Sequence, residues 1–138
     1  MARRYPTDPV LWSNLLFFGN SYLWYVCGSL LACIVIAITA LASLLYHWFR
    51  EENDLLHRLD QFCASVALCV TLFAAGTSLT LHGWILVCVV LLAGLAFKIE
   101  AHNYWKTDRY YDGYHVAWHM AVFAGQLCLA LSLKSEIL

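Results

Sequence analysis

A chain of 138 residues that is 62% apolar and only 12% charged carries about half the charge of an ordinary soluble domain. Its formal net charge of −1, with no basic tract, argues against a nucleic-acid partner. The composition predicts one transmembrane domain over residues 1–138, an all-α polytopic bundle with short connections and no separate soluble part.

Charged residues mark out the spans. From Pro9 to Phe49 there is none, a run of 41 residues. As one helix this run would be about 60 Å long, twice the roughly 30 Å hydrocarbon core, so it divides. Cys27-Gly28-Ser29 offers the break, giving spans Pro9–Val26 and Leu30–Phe49. A break at Gly19-Asn20-Ser21 leaves too short a piece to cross. Charged Arg50–Arg58 closes the second span, Leu59–Leu79 makes the third, and Thr80–Gly83 is a turn. Trp84–Phe97 is short for a fourth span. It reaches across when Ile99–Ala101 extends it and the Lys98 stem snorkels. The loop Glu100–Asp112, with Tyr104, Trp105, Tyr110 and Tyr111, has the make-up of an interfacial belt. Tyr114–Leu133 completes the set.

Basic residues decide between five spans and four. With five, Arg3, Arg4, Arg50, Arg58, Lys98, Lys106 and Arg109 share one side and Lys134 stands opposite. With four, the first segment does not cross, and the division is five against three. Seven against one is the stronger positive-inside pattern, and it predicts a cytoplasmic N-terminus. The six cysteines (Cys27, Cys33, Cys63, Cys69, Cys88 and Cys128) lie in apolar runs without a C-x-x-C pair, as packing residues do. Arg3-Arg4 has the charge of a signal-peptide n-region, but Trp12, Ser13 and Asn14 interrupt the apolar stretch behind it.

The chemistry concentrates in GYHVAWHM, residues 113–120. His115 and His119 are four apart, so a helix puts both imidazoles on one face, about 6 Å apart along the axis. Such a pair can grip one metal ion; the plainer reading is two polar residues at a membrane surface. Ser43 and His47, in ASLLYHW, are a second such pair at the same end of span two. Asp60, in HRLDQFC, opens span three at that depth. Ionisable residues inside spans usually face the bundle interior or a water-filled cavity. Three neutral imidazoles leave one position of a tetrahedral Zn²⁺ open, as catalytic zinc sites do. Asp60 is then placed to act as general base, and Ser43 to orient a water or donate to a developing oxyanion.

S-x-x-x-H, an Asp opening the next span, and H-x-x-x-H opening the last resemble the CREST superfamily of membrane hydrolases. It includes alkaline ceramidases, adiponectin- and progestin-type receptors, haemolysin III-like proteins, Per-type lipases and the myomaker group. WSNLLF in the first span and the Trp118-His119 pair are similar to features of that group, the latter to its ceramidase, Per-type and myomaker branches. The resemblance implies His47, His115 and His119 as zinc ligands, Ser43 and Asp60 as their assistants, and a lipid amide or ester as substrate. Members usually have seven spans; five are expected here, with two lost between Asp60 and the final pair. An even loss preserves sidedness but removes part of the wall around a lipid.

Other polar residues weigh less. Asp112 is either a partner of His115 or a solvated loop residue. His57, His82 and His102 are expected at the interface, Glu51, Glu52 and Asp54 in a solvated loop, and Ser13, Asn14 and Asn20 in interhelical hydrogen bonds or near the metal. Two other functions compete: a receptor or structural membrane protein that keeps zinc without turnover, and a haem or quinone protein using His47 with His115 or His119.

Overall fold

The computed structural model describes residues 8–49, 54–76, 79–104 and 110–134. Asp8 and Pro9 set the start of the first helix. The Asp8 carboxylate accepts from the Val10 N–H at 2.9 Å, and Pro9 stands where no backbone donor is needed. This helix, α1, runs Pro9–Val26. It ends in a Schellman turn: Ser29 N–H bonds Trp24 O and Gly28 N–H bonds Tyr25 O, both at 3.0 Å. Gly28 has φ +86°, a left-handed conformation that a side chain would strain. Four further helices follow: α2 Leu30–Trp48, α3 Asp54–Gly76, α4 Leu81–Tyr104 and α5 Tyr111–Lys134. Among the described residues all regular structure is helical. Helices α2 to α5 are each long and apolar enough to cross a membrane. The 18 residues of α1 would span about 27 Å, but its Ser13, Asn14, Asn20 and Ser21 keep it outside that group.

Three helices are longer than their apolar runs predict. α3 begins at Asp54 rather than Leu59 and ends at Gly76 rather than Leu79; Asp54 in its first turn favours the positive end of the helix dipole. The expected turn Thr80–Gly83 is instead the cap and first turn of α4. Thr80 Oγ accepts from Gly83 N–H at 3.2 Å, and Thr80 O from Trp84 N–H at 2.9 Å. At its other end α4 carries Glu100, His102 and Asn103 as helix, since polar side chains need not interrupt backbone bonding. α5 likewise starts at Tyr111 rather than Tyr114. Residues 50–53 and 105–109 of the two charged loops lie outside the described residues, as do Arg3, Arg4 and residues 135–138.

The helices pack in the order α4, α5, α1, α2, α3, with a lighter contact from α3 back to α5. Contacts between α1 and α5 rise together along both, from Ser13–His119 through Asn20–Phe123 O to Trp24–Gln126. The two are therefore parallel. α2 and α3 run antiparallel, with Thr39 donating to Cys63 O at 3.0 Å and Tyr46 against His57. α4 and α5 do the same around two close approaches, Gly94 to Trp118 and Gly125 to Val90. Among the described residues α3 and α4 do not pack along each other; Trp84 reaches Gly76 at the end where the chain turns. Large apolar side chains such as Phe73, Leu92 and Trp12 stand exposed on the outer faces, as expected of helices apolar enough to cross a membrane.

Candidate metal centre

His47 closes α2, and its imidazole is completely buried. His115 and His119 lie in the first turns of α5, where their spacing aims both rings at the same point. The three rings meet. Centroids are 4.5 Å apart for His47–His115 and His115–His119 and 5.7 Å for His47–His119. One nitrogen from each lies within 4.8 Å of the other two.

Ser13 is the hydrogen-bond partner of His119. Its Oγ donates to Val10 O at 2.8 Å and, in the tautomer compatible with that bond, accepts from Nδ1–H of His119, 2.7 Å away. The lone pair of His119 is then on Nε2, which stands 3.1 Å from Nε2 of His115. Nitrogens sharing a tetrahedral zinc at about 2.0–2.1 Å stand about 3.3–3.4 Å apart. Spacing, burial and tautomer all suit a small ion.

The predicted assistants are in place as well. Ser43, buried on α2 one turn before His47, stands beside the Asp60 carboxylate as a hydrogen-bonding neighbour. Asp60, in the second turn of α3, is close enough to His47 for direct attraction. Ser43, Asp60, His115 and His119 together line one end of a cavity of about 510 Å³. The cavity runs down between the helices past Ile36, Val87 and Leu91 to Gln126 and Leu129. Its depth along α5 from His119 to Gln126 is seven residues, about 10 Å. A mostly apolar slot of this size with polar groups gathered at one end is a usual small-ligand site.

Several residues at the site carry weight that spacing did not give them. Ser13 is the fixed partner of His119. Tyr46 lies between His47 and His57, with ring centroids at 4.8 and 5.0 Å. Tyr111 faces His115 at 5.1 Å and Phe17 meets His119 edge-on at 5.4 Å. His57 and His102, expected at the interface, line the cavity, while His82 is exposed at the far end. Lys98 does not snorkel outward: its ammonium stands 5.2 Å from the centre of the Trp118 ring. The six cysteines are all free thiols, far from forming a cluster. Asp112, in the first turn of α5, does not line the cavity.

Comparisons with family models, with curated proteins and with solved structures find no match to this chain.

Proposed function

We propose that this chain is an integral-membrane, zinc-dependent hydrolase of a lipid amide or ester, and a shortened relative of the CREST hydrolases. The observation that carries the reading is the meeting of His47, His115 and His119 within 4.8 Å beside Asp60, at the head of an apolar cavity. A porphyrin is a poorer occupant. Its plane would have to pass between His47 and either His115 or His119, and ring centroids only 4.5 and 5.7 Å apart leave no slot for it.

When bound, zinc supplies Lewis acidity to water and to a carbonyl. The residues do the rest. The cavity aligns an acyl chain so that its carbonyl lies at the imidazole end. Asp60 removes a proton from the attacking water and returns it to the departing amine or alcohol as the acyl C–N or C–O bond breaks. Ser43 orients that carboxylate or donates to the oxygen on which negative charge develops. The unpacked seam between α3 and α4 gives the lipid lateral access from the bilayer.

In this reading α1 is a fifth span, the N-terminus and both charged loops are cytoplasmic, and Leu138 is on the other side. The seven-to-one division of Lys and Arg supports it, as does the parallel run of α1 and α5. Tags at the two ends should differ in protease access in sealed vesicles; both ends on one side would remove the five-span topology. Metal analysis of detergent-purified protein should give about one zinc per chain. The zinc-loaded protein should release fatty acid from one member of a panel of ceramides, lysolipids and phospholipids. Zinc without turnover of any of them would leave a structural or receptor role.

A further inference from the structure

Lys98 is the sole lysine or arginine among the described residues that line the cavity. It sits on α4 six residues before the end of that helix, where a long basic stem ordinarily reaches out to the headgroups. Here the ammonium lies over the face of Trp118 instead, 5.2 Å from the ring centre. That ring is itself fixed: it packs on Gly94 so closely that a Cβ there would meet it at 3.0 Å. Asp60 faces Lys98 across the cavity and attracts it through space, yet among the described residues the two make no ion pair. Polar groups from both sides of the seam complete the rim, His57 and Gln61 from α3 and His102 from α4. Below them the lining is mostly apolar, with Thr39, Ser65 and Gln126 as its polar members.

A cation that makes no ion pair with the carboxylate across the cavity, half-buried and held over an aromatic face, leaves room for a second anion. The apolar slot beneath asks that the anion carry a hydrocarbon chain. We propose that Lys98, with Gln61 on the α3 side of the same cavity, binds the anionic headgroup of a lipid admitted between α3 and α4. This rests on the cavity being the lipid site of the function proposed above, but on neither zinc nor turnover. It narrows the substrate class from lipids at large to those with a negatively charged head. In the five-span orientation Lys98 also faces the leaflet where anionic lipids are concentrated.

The test uses the full chain, treated with chelator and held in nanodiscs of phosphatidylcholine. Its ligands are octyl phosphate and octyl glucoside, both below their micelle concentrations, with inorganic phosphate as a third arm. Tryptophan emission reads binding, and a Trp118→Phe variant assigns the signal. Octyl phosphate should bind about tenfold more tightly than octyl glucoside, the worth of one partly screened charge contact. Lys98→Gln should erase that preference and Lys98→Arg keep it. Equal binding of the two by the native chain overturns the proposal without any variant. So does an undiminished preference in Lys98→Gln. Inorganic phosphate competing as well as octyl phosphate would overturn a lipid as the ligand. Neither alkyl probe has an acyl bond, so these failures leave the hydrolase reading standing, and a missing zinc or turnover leaves this one standing.

Discussion

Helices α1, α2 and α5 bury polar side chains against one another, whereas α3 and α4 leave most of their surface exposed. In the first group Ser13, Asn14, Asn20, Ser21, Ser43, His47, His119 and Gln126 are all buried. The second contributes Ala67, Thr71 and Ala75 from α3 and Val87 and Ala101 from α4. Between helices that cross a bilayer, interhelical hydrogen bonds rather than hydrophobic burial hold particular pairs in register. All three imidazoles and the serine beside one of them belong to the polar, cross-linked group, the rigid half. Asp60 and Lys98 belong to the other, the open half, named for its seam between α3 and α4, although α4 itself packs closely on α5. The proposed function then divides in the same way: the rigid half would position an ion, and the open half would admit a ligand and work on it.

The largest effect should follow from cutting into the rigid half. His119→Ala removes one of three ligands and leaves two neutral imidazoles, too few to keep zinc through purification. Zinc per chain should fall from about one to near zero. Added zinc should cease to stabilise the protein, where the native chain gains about 2.7 kcal/mol at a hundred times its dissociation constant. A variant that still carries native zinc would break the assignment of the metal to this half. Asp60→Asn cuts into the other half. It keeps size and polarity but cannot take a proton, so lipid hydrolysis should drop by roughly 10²–10⁴ while zinc content is unchanged. Loss of zinc in that variant would mean that the two halves do not divide the work in this way.

The rigid half was the more legible in the sequence. A charge-free run of 41 residues and one glycine in its middle foretell the α1–α2 hairpin, because a single helix of that length would be about twice a bilayer's hydrocarbon core and Gly28 takes the turn. The i,i+4 pairs Ser43–His47 and His115–His119 foretell their common faces, because helical geometry alone sets them. Helix ends were less legible. Thr80 caps α4 through backbone bonding and Asp54 opens α3 at the positive end of its dipole, neither of which apolar content reports. Ser13 could be named as an interhelical residue, but its bond to His119 spans 106 positions and has no local signature. Lys98 was misjudged for a similar reason. Its outward route is the default for a lysine near a helix end, and only the packing of Trp118 on Gly94 makes an inward one available.

A smaller effect separates ligand from support within the rigid half. Ser13→Ala leaves all three imidazoles in place but removes the oxygen that accepts from Nδ1 of His119. That ring is then free to change tautomer or tilt, and hydrogen-bond partners of this kind are worth about 10–100-fold in metal affinity. Alanine suits a helix interior, so the fold should be unaffected. Competition against a chelator of known affinity measures the change. An affinity equal to that of the native chain would show that packing from Phe17 and His115 fixes the ring without Ser13.

The smallest effect probes what joins the two halves. Gln126 on α5 accepts from the Trp24 indole at 2.9 Å and donates to Thr71 on α3 at 3.0 Å. It thus ties the rigid half to the open one at the floor of the cavity. Gln126→Leu keeps the volume and removes both bonds, and the fully buried indole N–H of Trp24 has no water to turn to. In water such a loss would cost about 1–3 kcal/mol. Interhelical bonds in membranes average nearer 0.6 and reach about 1.7 kcal/mol, so a cost of about 1 kcal/mol is expected, read as unfolding of the zinc-free protein in detergent. Thr71→Val removes only the second bond and should cost less. In the double variant the Thr71 contribution should vanish, because its partner is already gone. Zinc affinity should stay native throughout, since Gln126 lies about two helical turns from His119. If Gln126→Leu instead weakens zinc, the floor and the metal site move as one body, and the division between a rigid half and an open half gives way to a single cooperative bundle.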